Sequence, residues 1–242
     1  MSRSFKPVLE KTQKTSVNVN FLKRLIIFPD AATWTPSPQK GVERLTLDLF
    51  GDERVKTTYF ARFAPGSALP RHVHDGGEEI FVMEGGFQDE NGSHGAGEYL
   101  RDPRGSTHTP TSAEGCLLFV KLGCFAPGDE ERVKIDSASG EWRKAPEGFA
   151  IQPLHHFAGV TTFLVRLDPG AILTRMIHPH GEEAVVLAGA CKDDEGSYAK
   201  GSWIRDPGGH PQSLISPGGC TLFVKTGHIA AAAAEAAQPV AG

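Results

Sequence analysis

The sequence is poor in the features that assign a chain to whole classes of protein. Cysteine is scarce, with four in 242 residues, and Cys116, Cys124, Cys191 and Cys220 show no CxxC spacing. A chain of this length can bury its own core, so no disulfide framework is expected. No apolar stretch approaches a membrane span, and the N-terminus MSRSFKPVLEKTQKT has no signal-peptide core, so a soluble, cytoplasmic protein is expected. Lys and Arg form no cluster and the net charge is −4, which argues against nucleic acid or a membrane surface as partner and leaves small molecules or proteins. Helical periodicity is missing everywhere except in the tail. Residues 1–60 contain neither histidine nor cysteine.

Turn residues are plentiful by contrast, with 28 Gly and 17 Pro breaking short apolar stretches, the profile of an all-β sandwich or barrel. The first strand is read at 21–28 (FLKRLIIF), and others at 45–50 (LTLDLF) and 55–63 (VKTTYFARF). Asn91-Gly92 suits the φ > 0 positions of a hairpin turn, and Glu195-Gly196 is its counterpart. Residues 125–140 are polar and turn-rich, a linker or an edge hairpin. After His228 the alanine-rich tail has too few large apolar residues to pack and reads as frayed helix or disorder.

Residues 65–121 recur at 169–225 without insertion or deletion. Gly66 and Gly170 set the offset, 170 − 66 = 104, and the same difference relates Glu78 to Glu182, Pro103 to Pro207, Cys116 to Cys220 and Lys121 to Lys225. Upstream, Trp34 matches Trp142 at 142 − 34 = 108. One fold unit has been duplicated, giving expected units of 1–130 and 131–228 with a tail at 229–242.

The first copy carries the chemistry. His72 and His74 stand two apart, so on a strand they project to one face and can converge on one ion. Glu78 follows a Gly-Gly turn, and His108 brings a third imidazole after Pro103 and Gly105. Imidazoles with a carboxylate suit Fe, Zn, Mn or Ni. Glu79 competes with Glu78, but successive strand residues face opposite ways. Glu79 is therefore expected on the backbone or on a partner.

These segments, Gly66-x5-His72-x-His74-x3-Glu78-x6-Gly85 and Gly97-x5-Pro103-x-Gly105-x2-His108, resemble the paired motifs of the cupin superfamily, except that Ser112 stands where the family usually has Asn. The resemblance covers the chain twice and implies an all-β bicupin, two tandem cupin jelly-roll β-barrels. The wording Glu-Glu-Ile-x-Val, Tyr-Leu-Arg-Asp-Pro and Glu-Gly-Cys-Leu-Leu-Phe-Val-Lys-Leu is similar to the cupin domain of ChrR-type anti-sigma factors and of oxygenases that cleave acetylacetone or dihydroxyacetophenone. It implies His72, His74, Glu78 and His108 as ligands of one divalent metal ion per chain (Fe, Zn, Mn or Ni), in a metal-dependent oxygenase acting on a small chelating ketone. The alternative is a zinc-binding sensor. The anti-sigma factors carry an N-terminal His/Cys segment that contacts the sigma factor, which residues 1–60 here do not have.

In the second copy Met176 stands for His72 and Gln212 for His108, leaving His178 and Glu182, so this barrel is expected to hold no metal. His180 and His210 lie close to the lost positions and are not expected to be ligands. Arg101 and Arg205 recur before Asp-Pro and are expected in structural ion pairs or turns. His94, in the hairpin region, is expected to be solvated, and the adjacent His155 and His156 to face opposite ways. Tyr59, Phe81 and Tyr99 read as core or barrel lining, and Cys116 and Cys220 as buried strand cysteines. The apolar 21–28 strand suits exchange or edge pairing in a homodimer.

Overall fold

The computed structural model describes residues 16–50 and 56–236, with only the backbone at 174–176 and 212. Period-two alternation organises it. In the strand Val42–Leu49, Val42 joins an apolar cluster with Tyr59, Ile80 and Leu118, while Leu45 and Leu47 join another with Phe60, Phe81 and Phe119. Both faces of the sheet are thus buried, and its central strand Cys116–Leu122 (CLLFVKL) reads as a nearly unbroken apolar run.

Two large antiparallel sheets result, each built mainly from one copy of the repeat, and they form two tandem cupin-like jelly-roll barrels. The first runs in the order Glu98–Asp102, Glu78–Asp89, Cys116–Leu122, Thr57–Phe63, Val42–Leu49. The second repeats it as Trp203–Asp206, Glu182–Lys192, Cys220–Thr226, Val160–Leu167, Phe149–Phe157. One face of each sheet lines its own barrel. The other packs against its counterpart, where Phe119 and Phe223 meet with ring centroids 5.3 Å apart.

The edge strands are exchanged. Leu25–Ile27 pairs with Trp203–Asp206 of the second sheet, while Val133–Asp136 pairs with Glu98–Asp102 of the first. These strands are themselves repeat-related, since 133 − 25 = 108. The apolar N-terminal strand expected at 21–28 is confined to Leu25–Ile27 and makes its exchange within the chain. The polar stretch at 125–140 contains the reciprocal edge strand. The expected 55–63 strand runs Thr57–Phe63, its first residue lying outside the described residues.

Between the barrels lie two buried ion pairs related by the repeat. Lys225 Nζ meets Glu79 Oε2 at 2.6 Å, and Lys121 Nζ meets Glu183 Oε2 at 2.6 Å. Glu79 also accepts from Tyr99 and Thr162, and Glu183 from Trp203 Nε1 and His228. The partner of Glu79 is thus the other half of its own chain. Arg101 forks onto Asp129, with Nη2 to Oδ2 at 2.7 Å, and Arg205 reaches Asp48 at 3.4 Å. His155 is buried against Arg101 while His156 is exposed, as opposite strand faces require.

The tail is helical, as one of its two sequence readings has it, but it packs where it was expected not to. Ile229–Ala236 is a helix whose Ile229 and Ala232 are buried with Phe21, so one large side chain and a small one suffice where a complementary apolar surface is supplied from elsewhere in the chain. Residues 237–242 of the tail and 1–15 lie outside the described residues. No described helix is long and apolar enough to cross a membrane.

Candidate metal centre

A two-stranded ladder sets the three imidazoles. His72–His74 pairs antiparallel with Ser106–His108 so that His108 lies opposite His72, and alternation turns His74 to the same side. The three rings stand edge to face, with centroids 4.7 to 4.9 Å apart. Glu78 is brought back by a tight turn in which Gly77 N–H donates to His74 O at 3.1 Å. Gly77 has φ +77, and a Cβ there would lie 2.3 Å from the Phe125 ring, so both conformation and space call for glycine. His74 Nε2 then lies 3.2 Å from Glu78 Oε2, and His108 Nε2 lies 3.6 Å from the same oxygen.

Each imidazole is held from behind through Nδ1: His72 on Pro70 O at 3.0 Å, His74 on Ser106 Oγ at 3.1 Å, His108 on Asp89 Oδ2 at 3.0 Å. Pro70 O and the Asp89 carboxylate only accept, so at His72 and His108 the Nδ1 carries the proton and Nε2 offers a lone pair. Those two Nε2 atoms are 3.2 Å apart. Two lone pairs at that separation repel unless a cation or proton lies between them. His74 Nε2 and Glu78 Oε2 are also buried without a hydrogen-bond partner. The donor set therefore fits a divalent cation, which would satisfy all four atoms together.

The electrostatics agree. Burial, with His108 and His72 alongside, lowers His74 to about 3, and burial lowers His72, so these imidazoles are neutral as ligation requires. Burial, with Asp102 and then Asp89 adding to it, raises the Glu78 carboxyl to about 8. A bound cation would reverse that environment.

Sequence reasoning missed the outer residues. Asp89 accepts from His108 and from His94 Nε2 at 3.1 Å. Burial pushes the Asp89 carboxyl up, but hydrogen bonds from His94 and His108 outweigh it and hold it below its usual range. His94, expected in solvent, is only 4% exposed, because the register Phe87↔His94 turns it inward onto Asp89. The signal was the repeat: Asp193 and Tyr198 stand 104 residues on, and Tyr198 Oη donates to Asp193 at 2.6 Å. Asp102 lies within ligand range of Glu78 and His108, but Arg132 engages it at 2.8 Å. Ser112, the departure from the motif, donates to Gly86 O at 2.6 Å, as Ser216 does to Ala190 O at 3.0 Å.

The second barrel is built otherwise. His178 Nε2 and Glu182 Oε2 satisfy each other at 2.8 Å, and among the described residues no third candidate ligand joins them. Met176 and Gln212 are register partners, their side chains outside the described residues. His210 lies 3.7 Å from both Glu195 and Asp206.

Comparison with known proteins agrees with this architecture. The family model for the ChrR cupin-like domain matches residues 22–126 and again 130–230. No curated protein matches. Among solved structures, a candidate dioxygenase from Nostoc punctiforme PCC 73102 superposes with TM-score 0.67 at 18% identity, covering 88% of this chain and 82% of its own. A candidate glyoxylate-induced protein from Pseudomonas aeruginosa gives 0.68 at 13% identity, covering 93% of each chain. A Bacillus subtilis oxalate decarboxylase variant gives 0.58 at 13% identity, covering 83% of this chain and 76% of its own. At these identities the likeness concerns the fold alone.

Proposed function

The chain belongs to the ChrR cupin-like domain family, matched once by each half, and on that premise we propose that its first barrel is a metal-dependent oxygenase centre for a small chelating diketone or hydroxylated aryl ketone. The observation that carries the reading is the pair of anchored lone pairs, His72 Nε2 and His108 Nε2, set 3.2 Å apart beside the unpartnered His74 Nε2 and Glu78 Oε2. His72, His74, Glu78 and His108 would hold one divalent ion, Fe, Zn, Mn or Ni. When bound, that ion supplies the Lewis acidity that favours the enolate of a chelating ketone and orients it for reaction with dioxygen.

The chain's own residues supply binding and exclusion of water. Tyr59, Ile80, Val82, Phe87 and Leu118 make the interior apolar, which strengthens any charge interaction inside. Arg44 faces this interior, its guanidinium 4.8 Å over the Tyr59 ring and its Nε buried without a hydrogen-bond partner. Its positive charge reaches both His72 and Glu78. A cation so placed suits an anionic oxygen such as an enolate. The name carried by the Nostoc relative accords with this reading.

The test is oxygen uptake by protein loaded separately with Fe(II), Mn(II), Ni(II) or Zn(II), using β-diketones and hydroxylated aryl ketones. Oxygen consumed in proportion to substrate lost, with iron or manganese, is the expected result. No uptake with any ion, together with one tightly held zinc, would replace the reading with a closed zinc site.

A further inference from the structure

The interior of the second barrel encloses a cavity of about 160 Å³. Four substitutions between the copies set the character of its lining. Ala184 stands where the first barrel has Ile80, and Cys191 where it has Phe87, both at the offset of 104. Each of these two changes removes side-chain volume from the wall, while Phe149 in place of Val42 and Val165 in place of Ala61 return part of it. Phe163 replaces Tyr59 at the same offset. Ile151 replaces Arg44, as the ladder pairings Ile151↔Val165 and Arg44↔Ala61 establish, with 165 − 61 = 104. The first chamber has a guanidinium and a cluster of imidazoles; the second has hydrocarbon.

Among the described lining residues one polar feature remains, the pair His178 and Glu182 at 2.8 Å. Glu182 is buried and His178 half-buried, so the pair marks one end of the chamber. Its hydrogen bond with Glu182 raises the His178 imidazole above its ordinary value.

We propose that the second barrel is a binding site for a small neutral molecule, a single ring or branched chain, with one hydroxyl or carbonyl turned towards His178 and Glu182. An apolar cavity of about 150 Å³ stays dry and takes a guest such as benzene, so a guest of about six to eight heavy atoms fits this one. Charge is disfavoured because the only ionisable pair among the described lining residues, His178 and Glu182, is already engaged with itself, and a further buried charge would find no partner among them. The site is independent of the metal chemistry in the first barrel and serves as a second, non-catalytic chamber on the same chain.

The test titrates the full-length protein with phenol, benzene and benzoate by calorimetry and by ligand-observed NMR. Phenol is expected to bind saturably at one site, benzene more weakly, and benzoate not at all. Grafting the first barrel's own residues into the second, as Ala184→Ile alone and Ala184→Ile with Cys191→Phe, is expected to weaken phenol by roughly tenfold or more. Metal content of the first barrel should stay unchanged in both variants and reports on folding. If the double variant does not fold, the single one decides. Absence of saturable phenol binding by the native protein, or undiminished binding in the grafted variants, would overturn the site. Benzoate binding as tightly as phenol would overturn the assignment of a neutral guest.

Discussion

Glu79 of the first barrel holds Lys225 of the second at 2.6 Å, in a place where neither residue meets solvent. The repeat reverses the arrangement with Lys121 and Glu183, so each barrel gives one acid and one base to the contact. Replacing Lys225 with Met leaves Glu79 buried and charged with two hydroxyl donors and the Arg101 guanidinium 3.9 Å away, without its closest cation. The expected loss is about 3–5 kcal/mol of unfolding free energy, and Glu79→Gln in the same chain should restore part of it. Guanidinium unfolding of the three proteins measures this.

His228 gives stability a defined pH dependence. Burial, with the nearby Lys121 cation adding to it, lowers this imidazole to about 4 despite its hydrogen bond to Glu183. A group lowered in the folded state from an ordinary value near 6.5 stabilises the protein above that pH and loses its contribution as pH falls towards 4. The contribution is on the order of 3 kcal/mol. Unfolding free energies measured from pH 7 to 4 should decline less steeply in His228→Gln than in the native chain; parallel curves would count against the effect.

The four inner donors predict metal content. His72→Ala and His108→Ala should each lose the bound ion in elemental analysis of tag-free protein, with retention of a full equivalent by either variant refuting the site. Glu182→Gln in the second barrel should leave the content unchanged.

Asp89 should matter without touching the ion. Asp89→Asn keeps the shape but removes the charge that fixes the His108 tautomer. Metal affinity is expected to fall by about 10–100-fold, measured by competition with a chelator. His94→Phe, which removes one of the donors to Asp89, should produce a smaller change in the same direction.

Arg44 makes a kinetic prediction. Arg44→Gln should raise KM for an enolisable diketone more than it lowers kcat, with metal content unchanged, because the guanidinium is placed to bind an anionic oxygen and holds no ligand of the ion.

The inner quartet was legible because its members depend on local geometry: two positions apart on one strand, a turn of fixed length, and a second strand opposite. Glu79 was legible in direction but not in destination, since alternation turns it away from Glu78 while its partner Lys225 comes from the other barrel. Asp89 and His94 were not legible. Each is an ordinary polar residue near a hairpin, and only the register that brings strand Gly92–Gly95 against Glu78–Asp89 makes them the support of His108. The packing of the tail, though not its helical character, was misjudged for a similar reason, because the surface that receives Ile229 includes Phe21 from the far end of the chain. Arg44 gave no signal alone; its inward direction emerges from pairing with Ala61 and stacking on Tyr59.

The traded edge strands, Leu25–Ile27 given to the second sheet and Val133–Asp136 to the first, have a consequence for how the two chambers came to differ. Cut between the barrels, each fragment would carry the border its neighbour lacks, so the folding unit is the pair. A single-barrel protein with such an arm would close only by meeting a twin, and every mutation in it would then appear on both sides of the symmetry axis. Joining the twins in one polypeptide breaks that constraint. One side can give up two of its imidazoles and hollow out its walls while the other keeps all four candidate ligands, and the shared seam holds both in register.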